Sequence, residues 1–320
     1  MIGNLIKSVI FATLTDMFPV LFSIGKISVS TFGVFLSLGF ILGIFLIWRL
    51  ARAWDIDEEK ILDLTLLTFI GGLVGARVYF VLTNLSFFIA SPLKIILFTK
   101  NPGFSFWGGF LGGWLTLYFL TRRSKLDFLQ LADIGIVGFF GGLIMANLGC
   151  LFGGCGAGIL THSFLGVSMI GLIGKRWPIQ LLEALIYFLI LINIWSSATH
   201  FHQRGRIISL CLIFIGVVEL IFEPLRQIHS EGFIFSIVLI FLGLTYFYKV
   251  TKRNIILDIK NFSKFSLGLF TRSENRLLVV TELKKIWYNQ KVIFSWRLRN
   301  IKKTLRRFNV RFYFKNNQQH

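Results

Sequence analysis

A polar skin is what this 320-residue chain most lacks: 15% of its residues are charged, and Asp and Glu together number only 15. A soluble fold of this length needs more polar surface than that to face water. Cysteine is scarce too. Three residues cannot build a disulfide framework, and no CxxC or Cys/His spacing marks a zinc site. Neither a metal nor an organic cofactor is expected. What the chain has in abundance is apolar: 55% hydrophobic residues, 36 of them Phe, with a mean hydropathy of +0.72. This composition describes an all-α integral membrane protein that crosses the bilayer several times.

A span needs about 20 apolar residues. Candidates lie near 31–50, 61–84, 106–121, 131–153, 178–198, 207–224 and 232–248, which makes seven helices. Arg49, Arg52 and Lys60 fall after the first span, and Arg122, Arg123 and Lys125 after the third. Arg204 and Arg206 follow the fifth, and Lys249, Lys252 and Arg253 the seventh. Every second connection is therefore basic, and basic connections stay in the cytoplasm. The expected topology has the N-terminus outside and the C-terminus in the cytoplasm. The outer loop with Lys94 and Lys100 fits it least well.

Three regions follow: an outer-face interfacial segment at 1–30, the seven-helix membrane domain at 31–250, and a basic cytoplasmic tail at 251–320. In the first, Asp16 and Pro19 interrupt the apolar run, and there is no small-residue cleavage site. An interfacial helix is expected over residues 1–25, with an eighth span as the alternative. The tail carries 17 basic and 3 acidic residues, mixed with Trp287, Tyr288, Trp296, Phe308, Phe312 and Tyr313. Such a mixture could grip nucleic acid. A tail that leaves a membrane span directly is better read as held on anionic lipid, and no nucleic-acid partner is expected.

Glycines crowd the second to fourth spans, and Gly108/Gly112 and Gly109/Gly113 have the four-residue spacing of close helix packing. Gly149, Gly153, Gly154, Gly156 and Gly158 continue past the membrane edge, where an irregular backbone near a headgroup or ligand is expected. Ionisable and polar residues inside spans are costly and mark function. Under the topology above they share one depth, toward the outer face. They comprise Arg77 and Tyr79, then Trp107, then Asn147 and Cys150 with Cys155 just beyond, then Gln180 and Glu183, then Glu219, Glu223 and Arg226. Arg77 and Arg226 suit a phosphate or a carboxylate. Glu183, Glu219 and Glu223 suit general bases or partners of those arginines. An ion-pair network that only joins helices would use the same residues. Because Arg226 follows Glu223 by three, a local pair between them is expected in any case. For Cys150 and Cys155 a disulfide, a reactive thiol and apolar filler all remain open, and Cys211 is expected in the core.

The order of these segments resembles the prolipoprotein diacylglyceryl transferase family over roughly residues 15–250. The likeness rests on Pro19-Val-Leu-Phe-Ser-Ile-Gly25, Gly75-Ala-Arg-Val-Tyr79, Phe106-Trp-Gly-Gly109 and Phe128-Leu-Gln-Leu-Ala-Asp133. It continues through Asn147-Leu-Gly-Cys150 to Gly158, Pro178-Ile-Gln-Leu-Leu-Glu183 and Glu223-Pro-Leu-Arg-Gln227. The resemblance implies a seven-helix bundle with a site toward the outer leaflet. It also implies transfer of a diacylglyceryl group from phosphatidylglycerol to the lipobox cysteine of a prolipoprotein signal peptide. On the matching positions it implies Arg77, Glu183, Glu223 and Arg226 as catalytic residues. Tyr79, Trp107, Gly108, Gly109, Asn147, Gly149, Gln180 and Glu219 would line the substrate. Several positions differ from the family pattern: Trp107 and Trp177 replace histidines, Asn147 and Glu219 replace arginines, and Cys150 and Cys155 replace Asn and Glu. The retained residues favour a transferase; the replaced ones favour a non-catalytic relative that binds lipid or lipoprotein.

Overall fold

A computed structural model describes residues 18–24, 27–89, 92–95, 103–169, 171–200, 203–227 and 232–271, with scattered residues beyond 276. The chain forms two compact units, residues 1–252 and 253–320.

In the first unit a hairpin of β1 (Val20–Ile24) and β2 (Ile27–Ser30) leads into α1 (Thr31–Ala53) and α2 (Glu58–Thr83). A short α3 (Leu85–Ile89) and a 3₁₀ turn (Pro92–Ile95) precede α4 (Phe106–Arg123) and α5 (Phe128–Gly153). A small antiparallel pair, β3 (Val167–Ser168) and β4 (Lys175–Arg176), comes before α6 (Ile179–Ala198), α7 (Arg206–Phe222) and α8 (Gly232–Thr251). Six of these helices are long and apolar enough to cross a membrane. The seventh, α4, has 18 residues, but four are glycine and the last two are Arg122 and Arg123. It runs antiparallel to α2: Gly108 meets Tyr79 near one end and Gly113 meets Thr68 toward the other. The fold is thus that of an all-α integral membrane protein, with helices at the seven expected places.

The hairpin's first strand corrects the expectation of an interfacial helix over 1–25 at residues 20–24. Alternating Ile27-Ser-Val-Ser30 suits a strand better than a helix. The hairpin is tied down where Phe18 donates its N–H to the Phe152 carbonyl and Thr31 to that of Pro19. Residues 1–17, including Asp16, lie outside the described residues.

Glycine sets how closely the helices approach. A methyl group added to Gly75 would stand 2.6 Å from the Gly108 carbonyl oxygen and 2.7 Å from the Gly112 Cα. Gly43 meets Gly138 between α1 and α5, and Gly216 meets Ser236 between α7 and α8, in the same manner. Gly108, Gly109 and Gly149 therefore serve packing: Gly108 lies against Gly75 and Tyr79, Gly109 against Ala76, and Gly149 against Phe35.

The bundle has two chemically different ends. At one, Arg52 pairs with Glu58 at 3.5 Å and Arg204 with Asp127 at 2.8 Å. The buried Asp133 accepts the backbone N–H groups of Gly205 and Ile208, both at 2.7 Å, and so caps α7 from the neighbouring α5. Gly205 also packs against Val250. The connections rich in Lys and Arg are thereby gathered at one level. The second unit contains α9 (Ile255–Thr271). On it Ile255, Ile256, Leu257, Ile259 and Phe265 are exposed.

Candidate functional site

The opposite end holds the charged cluster, and a proline starts it. Pro224 has no N–H and disfavours helix at the residue before it, so α7 tightens into a 3₁₀ turn over Glu223–Leu225. Arg226 then leaves in an extended conformation (φ −79°, ψ 142°). Its side chain lies against the end of α7 and the start of α6. One guanidinium nitrogen, Nη2, donates to Glu183 at 2.6 Å and to Glu219 at 3.0 Å, while Nε faces Glu223 at 3.9 Å. Glu219 also accepts the buried Tyr187 hydroxyl at 3.2 Å. The three carboxylates are 4–8% exposed and the arginine 27%. Three acids thus sit beneath one guanidinium whose remaining surface faces outward. The expected local pair with Glu223 forms, yet the two longer-range contacts are the shorter ones.

A three-stranded ladder holds Arg226 in place. On one side Ile159 N–H donates to the Leu225 carbonyl, and Gln227 N–H to that of Ala157. On the other, Thr161 donates to Lys175 and Trp177 to Ile159. Gly158 is the tight point, since a Cβ there would lie 2.4 Å from the Trp177 carbonyl oxygen. Arg176 crosses the ladder: its Nη1 donates to Gly158 O at 3.1 Å and to Gln227 Oε1 at 2.8 Å. Arg176 is 7% exposed and belongs to the site's support, although the sequence reading passed it over. Its position two residues before Pro178, at the start of a span, was the available signal.

Cys150 and Cys155 form a disulfide with Cα atoms 4.8 Å apart, so of the three open readings the disulfide is the one realised. Gly154, in the left-handed conformation at φ 76°, makes the turn that closes it. Gln180 donates its amide to the carbonyls of Cys155 and Gly156, the latter at 2.6 Å. The disulfide loop is therefore anchored to α6 one turn before Glu183. Cys211 is free and buried, as expected.

The other expected residues divide. Trp107 is buried, and its ring stacks on Phe235 of α8 at 4.8 Å and 10°; Tyr79 meets the same Phe235 edge-on at 6.2 Å. These two rings join α2 and α4 to α8. Arg77 donates Nε to the Ile95 carbonyl at 3.1 Å and Nη1 to that of Gly103 at 2.9 Å, amid the rings of Phe80, Phe88 and Phe104. Through these two carbonyls it braces the segment between α2 and α4. The Asn147 amide donates to Leu143 O of its own helix at 3.2 Å. That contact takes one of the two amide hydrogens.

Fold and site define a multi-pass helical membrane protein with a buried acid–guanidinium cluster at one end of its bundle. Residues 19–249 match the family model described as prolipoprotein diacylglyceryl transferase, and the chain belongs to that family. A Deinococcus radiodurans protein named phosphatidylglycerol–prolipoprotein diacylglyceryl transferase is 35% identical over 146 residues, 44% of this chain and 43% of the relative. A protein of the same name from Thermoanaerobacter sp. is 30% identical over 176 residues, 55% of this chain and 65% of the relative. One from Rickettsia africae is 30% identical over 223 residues, 67% and 86% respectively. The chain therefore spans 43% and 65% of the length of the first two relatives.

Proposed function

We propose that the protein transfers a diacylglyceryl group from phosphatidylglycerol to the cysteine thiol of a prolipoprotein, at the outer face of the cytoplasmic membrane. The observation that carries this reading is Arg226, held by Glu183 and Glu219 yet still presenting guanidinium surface. A guanidinium so fixed suits a phosphate oxygen and stabilises the charge that grows on the leaving group. In the step, the thiol sulfur bonds to the glyceryl carbon while the bond from that carbon to the phosphate oxygen breaks. Glycerol phosphate leaves. One of the buried carboxylates, with Glu183 as the first candidate, accepts the thiol proton. Arg176 and the disulfide loop keep Arg226 and Gln180 in register with it. The basic end faces the cytoplasm, and the 253–320 unit lies on anionic lipid through the exposed apolar side chains of α9 and the neighbouring lysines.

A second reading is a relative that binds lipid or lipoprotein without chemistry. The Asn147 contact within its own helix and the closed disulfide, at positions where the resembling family has Arg, Asn and Glu, favour it. The test uses purified full-length protein in phosphatidylglycerol liposomes with a lipobox-cysteine peptide. Mass spectrometry then follows a diacylglyceryl thioether on the peptide. A product formed by the wild type and abolished in Arg226→Ala supports the transferase. No product, in an assay where the Rickettsia africae relative is active, leaves the binding reading.

A further inference from the structure

At the basic end, far along the bundle from the acid cluster, the C-terminal turns of α1 and α6 flank an open cleft of about 300 Å³. Trp48, Arg49, Arg52, Trp195 and Thr199 line it. We propose that this cleft binds the phosphate headgroup of an anionic phospholipid from the leaflet opposite the acid–arginine cluster. The site is separate from the transferase reading and stands or falls without it.

Four observations support the assignment. First, the cleft walls are fixed. Trp54 donates its indole N–H to the Ala198 carbonyl at 2.9 Å and locks the end of α1 to the end of α6. Second, the two arginines are not equivalent. Arg52 pairs with Glu58 at 3.5 Å and lies 5.6 Å from the Trp48 ring centroid, while Trp48 donates its own N–H to Glu58. Glu58 thus neutralises one cation. Arg49 makes no ion pair among the described residues, so one of the two cations lining the cleft is available to a single phosphodiester.

Third, the cleft is large enough for a small ligand, at the low end of the usual range of about 300–1,000 Å³. Its two tryptophans have the amphipathic character of side chains that sit at headgroup depth. Fourth, the helix faces running from the cleft toward the membrane centre are apolar and open. Phe45 lies one turn from Arg49 on α1, and Phe188 lies two turns from Trp195 on α6; both are 49% exposed. Acyl chains have a path along these faces. Free phosphate could use the guanidinium but would gain nothing from them. Basic pockets between spans on the cytoplasmic side are a general means of holding anionic lipid headgroups.

The experiment reconstitutes the full-length protein in phosphatidylcholine nanodiscs doped with phosphatidylglycerol that carries a photoactivatable acyl chain. The labelled peptides are then mapped. Label is expected on peptides that contain Trp48 and Trp195, and inorganic phosphate should leave it unchanged. Arg49→Ala should reduce it about fivefold, the loss of one arginine–anionic lipid contact. Arg49→Lys should retain most of it. Arg49 is exposed, so neither variant threatens folding. Equal labelling of wild type and Arg49→Ala would overturn the proposal. Suppression of the label by inorganic phosphate would overturn it too, by showing a site for the free anion. Label mapped only near Arg226 would do the same while leaving the transferase reading intact.

Discussion

Arg226 reaches back 43 residues to Glu183, and their 2.6 Å contact ties the turn after α7 to the second turn of α6. Because Nη2 of the same guanidinium also holds Glu219, a single cation serves carboxylates from two helices. The buried charge is unbalanced toward the acids, which makes the two kinds of substitution unequal. Arg226→Ala leaves buried carboxylates without a counter-ion, a loss of about 3–5 kcal/mol where a buried pair is broken from one side. Glu183→Gln removes one of the competing negative charges and keeps a hydrogen-bond acceptor. Thermal unfolding in detergent should show a large drop in Tm for Arg226→Ala and a much smaller one for Glu183→Gln. Equal drops would contradict this account of the cluster.

The Cys150–Cys155 disulfide closes a short loop. Restricting such a loop in the unfolded chain contributes about 2 kcal/mol in the chain-entropy treatment. Cys150→Ser with Cys155→Ser should therefore unfold at lower temperature than the wild type, and dithiothreitol should lower the wild-type Tm but not the variant's. Since the loop carbonyls accept from Gln180, the variant should also lose turnover in the peptide assay.

Two glycines offer a paired test of helix approach. A methyl group on Gly75 would run into the backbone of α4 at 2.6 Å, whereas one on Gly135 would meet nothing within 4 Å. Gly75→Ala should destabilise by about 1–3 kcal/mol, as overpacking does. Gly135→Ala should be neutral, or stabilise by up to about 1 kcal/mol through helix propensity. Unfolding of the two variants side by side checks the sign of each.

Asp127, at the start of α5 and outside the spans, has its carboxyl held below the ordinary value of 3.8. Burial pushes it upward, but the Arg204 hydrogen bond and the backbone N–H groups of Gln130 and Leu129 together outweigh burial. A carboxylate lowered in this way stabilises the fold above its unfolded value, and that contribution fades as pH falls through the lowered folded one. Asp127→Ala should cost about 1 kcal/mol at neutral pH, mostly as a lost N-cap. The gap between variant and wild type should narrow in acid, by the smaller part that needs the charge, while the cap contribution stays. Asp127→Asn keeps the cap and should recover most of the loss.

The amino-acid sequence by itself determined a great deal here. Apolar runs of span length placed seven helices, because the bilayer core sets the length of anything that crosses it. Glycine spacing anticipated the approach of α2 to α4. A depth argument from charges inside spans picked out Glu183, Glu219, Glu223 and Arg226 before any fold was known, since such charges need partners. Only the tertiary structure decided which partner each one took. Local spacing favoured Glu223 for Arg226, yet the extended backbone after Pro224 turned the guanidinium toward Glu183 and Glu219. Arg77 shares their depth but faces the carbonyls of Ile95 and Gly103, because depth does not fix the direction of a side chain around its helix. Arg176 carried no periodic signal: its role comes from a ladder that joins three segments far apart in the chain. Contacts along one helix are read from spacing of three or four residues, whereas contacts between segments depend on how the helices pack.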